Sequence, residues 1–186
     1  EDVLRILQFI AVAGQPLGRA LLRDASGRPG DHAAVSRLVR SHLVRSLGRP
    51  GEEQVVAYHD RVRETVVEQL GGEAPAIHGA LATAMDAHGS DPELRFVHHR
   101  AAGNRVEART LALEAAESAQ DSLAFAHAAG LYAEAIALGE DRWEVYRERA
   151  NALVNAGMPY QAGEGFLEAA ERSDGVDRIE LHRASA

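Results

Sequence analysis

Residues 128–135 read AAGLYAEA, and 34 positions further on residues 162–169 read AGEGFLEA. Each segment sets a small residue first, an aromatic four positions later and an alanine seven positions on: Ala128, Tyr132 and Ala135, then Ala162, Phe166 and Ala169. Spacings of four and seven keep all three on one helical face. Two small residues flanking a large one let a second helix approach closely while the aromatic fills the space between. Counting 34 positions back, the same columns hold Leu94, His98 and Ala101, and a further column holds Ala82, Ala116 and Ala150. A period of this length marks a chain built from repeated helical pairs.

Around these columns the sequence is helix after helix from about Pro75, without a strand signal. Turn residues recur at Gly89-Ser90, Gly103-Asn104, Asp121-Ser122, Gly139-Glu140, Gly157 and Gly175. Ser90 with Glu93, Asp141 with Glu144 and Asp177 with Glu180 have the spacing of capping boxes. The pattern gives three repeats, the first degenerate, and an incomplete fourth pair from Asp177. It resembles the tetratricopeptide repeat, whose second helix carries the small-large-small face. The family's Trp and Gly positions in the first helix read His78, Ala112 and Tyr146, then Ala82, Ala116 and Ala150, and no proline ends a repeat. The resemblance implies a scaffold that binds a protein or peptide.

Residues 1–72 read differently. Val3, Ile6, Leu7 and Ile10 share one helical face, ended by Gly14-Gln15-Pro16. A short helix from Leu17 to Ala25 is stopped by Ser26-Gly27-Arg28-Pro29-Gly30. A third, capped by Asp31, carries Val35, Leu38, Val39 and then Leu43. The period then shifts: Leu43–Leu47 and Gln54–Tyr58 are β-type runs about a Gly48–Glu53 turn, and a helix from Asp60 to Leu70 buries Val62, Val66 and Leu70. Three helices, a hairpin and a fourth helix make a winged-helix-like domain. The expected organisation is mainly α: residues 1–72 winged-helix-like with a β-hairpin, residues 73–186 a tetratricopeptide-like array whose last repeat is incomplete.

Tyr58-His59-Asp60 stands where the hairpin enters the last helix. This triplet, with the run through Val66, resembles the hydrophobic-His-Asp signature of signal-transduction ATPases with numerous domains, where an ATPase module precedes helical repeats. The resemblance implies that His59 reaches the phosphate of ADP or ATP bound by an upstream nucleotide-binding domain of the same polypeptide. An imidazole N–H is a suitable donor to such an anion. Asp60 is expected to cap the helix that follows.

The chain holds no Gly-rich phosphate loop followed by Lys, no lysine and no cysteine, so the expectation is a non-catalytic regulatory and protein-interaction fragment. It carries no catalytic residue, metal site or cofactor of its own, any ATPase or serine/threonine kinase activity lying elsewhere in the parent. It begins at Glu1 without an initiator methionine, so the natural start is expected upstream. No stretch is apolar and long enough to span a bilayer or direct secretion, and a cytoplasmic location is expected. The alternative is a DNA-binding regulator using Arg37, Arg40, Arg45 and Arg49, a stretch without acids. Against that reading, residues 1–70 carry 10 arginines and 9 acids and residues 71–186 carry 10 and 19, a thin footprint for phosphate binding.

Overall fold

The computed structural model describes residues 2–27, 31–49 and 52–185. The expected helix stop at Arg28-Pro29-Gly30, the Asp31 side-chain cap and the Pro50-Gly51 part of the hairpin turn lie outside the described residues. Contacts divide the chain into two compact units, Glu1–Asp91 with His98–Asn104, and Pro92–Val97 with Arg105–Ala186. The chain is mainly helical with one small antiparallel sheet.

The first unit is organised by α1 (Asp2–Ala13). From Ile6 to Ala13 all but Gln8 are buried, so the helix is apolar nearly all round and takes a central place. Around it pack α2 (Arg19–Ser26), α3 (Asp31–Arg40), α4 (Asp60–Leu70) and α5 (Ala74–Ala87). Ile6, Phe9 and Ile10 meet a core that includes Leu22, Leu38, Ile77 and Leu81. The expected hairpin is β2 (Val44–Leu47) against β3 (Gln54–Ala57), with Val44 opposite Ala57. Because α5 packs on α1 and α2, the unit continues beyond residue 72.

Three details differ from the sequence reading. Leu17-Gly18 does not open the second helix: it is a two-residue strand, β1, pairing with β3 so that buried Leu17 faces buried Val55. The sheet therefore has three strands in the order β1-β3-β2. On α4 only Leu70 is fully buried, Val62 and Val66 being half-buried. The N-cap of α4 is His59, and Asp60 lies within the first turn, where the helix dipole favours its charge.

After α6 (Pro92–Ala102), the second unit runs as α7 (Arg105–Asp121), α8 (Phe125–Ala137), α9 (Trp143–Asn155), α10 (Pro159–Arg172) and α11 (Gly175–Ala184), each packed on the next. The columns of the repeat are its core. Ala116, Ala128, Ala135, Ala150 and Ala169 are wholly buried, as nearly is Ala162, with Tyr132 and Phe166 buried between them. The helices approach so closely that a methyl group added at Gly165 would lie 3.1 Å from the Ala150 Cβ. In the earliest repeat Ala82 and His98 are buried, whereas Leu94 is half-buried and Ala101 exposed.

The turn inside each helical pair repeats more faithfully than the columns. At Gly89, Leu123 and Gly157, which share one register position of the repeat, the backbone is left-handed with φ of 60°, 60° and 76°. The N–H of each residue bonds the carbonyl three back, at 3.2, 2.9 and 3.0 Å, and the next N–H bonds the carbonyl five back, at 3.0, 2.8 and 2.9 Å. This pair of bonds satisfies carbonyls that the helix end leaves free. Two repeats use glycine there, and the middle one uses a leucine that is 72 % exposed. The capping boxes at Asp141 and Asp177 do not form. Arg142 and Asp174 precede α9 and α11 without side-chain cap bonds, and Asp141 instead accepts a bond from Arg172 Nε at 2.8 Å.

Candidate functional site

Hairpin register builds the first candidate site. With Val44 opposite Ala57, the residues just beyond the strands, His42 and His59, are brought to the same end of the hairpin, with Tyr58 between them. The Tyr58 N–H donates to the Leu43 carbonyl at 2.9 Å, which holds this junction closed. The Tyr58 ring meets His59 edge-on at 4.7 Å and His42 edge-on at 5.8 Å. All three side chains are exposed, and His59 makes no capping bond to α4. His59 thus stands where an outside anion can meet its ring N–H, and His42 adds a second imidazole to the same patch. His42 carried no signal in the sequence; only the register brings it there, helped by its own left-handed backbone (φ 54°) after α3.

The four arginines of the alternative reading occupy α3 (Arg37, Arg40), β2 (Arg45) and the turn after it (Arg49), and all are exposed. They are therefore a solvated basic strip next to a buried face made by Ala34, Val35 and Leu38.

A second site is a polar cluster inside the first unit, on α5 and the end of α6. His98 is only 3 % exposed, and its Nδ1 lies 2.8 Å from the Nδ1 of His78. A bond between two like atoms requires opposite tautomers: one Nδ1–H donates and the other Nδ1 accepts, so at least one ring must be neutral there. Burial, with His78 and His99 nearby, pushes His98 down to about 4, and burial lowers His78 as well. The neighbouring His99 points elsewhere. Its Nε2 lies 2.9 Å from Asp86 Oδ2 and its Nδ1 3.1 Å from the Asn104 side-chain nitrogen. An amide nitrogen only donates, so His99 accepts at Nδ1 and donates from Nε2 to the carboxylate. On one helix no carboxylate stood four residues from either histidine; the partners come from α5 across the helical hairpin. Close by, His88 Nε2 lies 2.7 Å from Asp24 Oδ2, a bond that holds the Asp24 carboxyl below the ordinary carboxylate range.

The second unit has one buried hydroxyl of similar character. Tyr132 donates to Gln120 Oε1 at 2.6 Å, and burial, with Glu148, Glu117 and Asp121 near, pushes its phenol up to about 12. It is a structural donor that stays protonated through the physiological range. Among the described residues no three His, Asp or Glu side chains converge as a metal site.

Comparison of the chain with protein-family models, with curated proteins and with solved structures gave no match.

Proposed function

We propose that the chain is a non-catalytic regulatory and protein-interaction module of the cytoplasm. In this reading the helical pairs of the second unit bind a segment of another protein. The winged-helix-like part senses, through His59, the nucleotide held by an ATPase module of the same polypeptide. What supports the scaffold role is the in-register recurrence of the turn in all three repeats and of the buried small-large-small face in the second and third. It fixes the inner faces of the helices by packing and leaves their outer faces to carry a binding surface that need not serve the fold. No described helix is long and apolar enough to cross a membrane.

The scaffold role is tested by panning a random peptide library against the whole chain and mapping the selected peptide by amide chemical shifts. Micromolar binding centred on α7 to α11 is expected, and failure to select any saturable binder refutes it. The sensing role is tested in a polypeptide that includes the ATPase module. A charge-assisted bond from His59 to a phosphate is worth on the order of 1.5–3 kcal/mol, so His59→Ala should speed ADP release roughly tenfold or more with the domain still folded. Unchanged release in a folded variant reduces the triplet to a strand-to-helix junction.

The exposure of Arg37, Arg40, Arg45 and Arg49 favours one second reading, contact with duplex DNA. Anisotropy titrations with defined duplexes decide it: a sequence-specific complex lost in Arg37→Glu/Arg40→Glu would put this reading first, and salt-sensitive retention without preference would dismiss it.

A further inference from the structure

Both α9 and α11 pack on α10, and between them they leave a cavity of about 220 Å³. That is below the roughly 300–1,000 Å³ that houses a whole small-molecule ligand, and is the scale of a single inserted side chain. Trp143 and Phe166 are its aromatic lining residues, Leu181 an apolar one, and Asp177 and Glu180 line the α11 side. Asp177 and Glu180 are exposed and make no ion pair with any described residue. Arg147, also on the lining, is already occupied: its guanidinium lies 5.1 Å from the Trp143 ring and donates to Glu148 at 2.8 and 3.2 Å. The surrounding unit holds 16 acidic residues against 9 arginines, a net of −7.

From these features we infer that the α9–α10–α11 cavity takes an arginine side chain from a partner peptide. The inference rests on the scaffold reading above and specifies its ligand. A guanidinium is flat, weakly hydrated and able to lie on an aromatic face while its edge donates to two carboxylate oxygens, which an ammonium does less well. Arg147 on Trp143 shows that this ring accepts a guanidinium in the folded chain. The unpaired acids on α11 supply the charge that Arg147, neutralised by Glu148, does not consume. The net charge of the unit draws a basic segment toward the site and turns acidic ones away.

Trp143 is the single tryptophan of the chain, so its fluorescence reports this cavity alone. The whole chain is titrated with acetylated, amidated Gly/Ser heptapeptides carrying Arg, Lys, Leu or Glu at the centre, with amide chemical shifts followed in parallel. The Arg peptide should perturb Trp143 saturably, bind several-fold tighter than the Lys peptide and weaken with added salt. Asp177→Asn/Glu180→Gln, at exposed positions that leave melting unchanged, should weaken it about tenfold, the scale of a lost charge-assisted pair. Equal binding of the Leu or Glu peptide at Trp143, an Arg response indifferent to the double variant, or peptide shifts confined to other faces overturns the inference while leaving the scaffold reading standing. Only if library panning also yields no binder does that reading fall with it.

Discussion

The His78–His98 pair makes a quantitative commitment. In the unfolded chain His98 titrates near 6.5; folded, it titrates at about 4. The native state therefore binds fewer protons than the unfolded state between these values, and stability must fall as pH falls through that window. Above about 6.5 the neutral pair contributes in full; below about 4 the contribution is gone. Each tenfold change in proton affinity is about 1.4 kcal/mol, so the full term is about 3 kcal/mol, of which about 2–3 kcal/mol is lost between pH 7 and pH 4.5. Burial moves His78 in the same direction. The lowered carboxyls of Asp24 and Glu140 also destabilise in acid, but both are present in the variant below as well and cancel in the comparison.

The control is written in the repeat itself. One repeat further on, the positions of His78 and His98 are held by Ala112 and Tyr132, so His78→Ala/His98→Tyr transplants the middle repeat's solution into the first. Urea unfolding at pH 7.0, 6.0, 5.0 and 4.5, followed by circular dichroism, should show the native chain losing about 2–3 kcal/mol more than the double variant. If the two chains lose stability in parallel, the buried histidine pair does not carry the acid sensitivity and the argument from its geometry fails.

Other substitutions probe the repeat. Leu123→Gly should stabilise by about 1 kcal/mol, because the left-handed backbone penalises a side chain and the exposed leucine has little burial to lose; a lower melting temperature would show that the leucine is held by contacts. Gly130 lies in α8 with open space where a methyl would go, so Gly130→Ala should gain about 0.5–1 kcal/mol from helix propensity. Gly165→Ala should forfeit that gain against Ala150, and equal behaviour of the two would refute the close approach of α9 and α10. Ala135→Leu and Ala169→Leu should each cost about 1–3 kcal/mol by overpacking, and unchanged chemical denaturation of both would discredit the register.

What the sequence revealed, and what it withheld, follows from the range over which each interaction acts. The columns through Tyr132 and Phe166 were legible because helical periodicity is local and the repeat supplies its own internal control. The hairpin was legible from the change of period at Leu43, and mainly helical architecture followed. Leu17-Gly18 was not, because so short a segment carries no period, and its strand exists only through pairing with Gln54-Val55, far along the chain. The left-handed Leu123 was hidden for a related reason: leucine does not ordinarily signal such a backbone, and only its place one repeat after Gly89 and one before Gly157 exposes the role. Among the functional candidates, His59 was visible as a local triplet, while its neighbour His42 depends on register. His98 shows the limit most clearly. It was legible as the large residue of its column, but its partner sits on another helix, and nothing in either local sequence announces that the two rings meet. A repeat that fills this slot with Tyr132 and Phe166 elsewhere, and with a hydrogen-bonded histidine pair here, keeps the volume of the column while changing its chemistry. That substitution pattern converts an inert packing position into one whose contribution depends on pH, and comparison across the repeats is the sequence signal that could have found it.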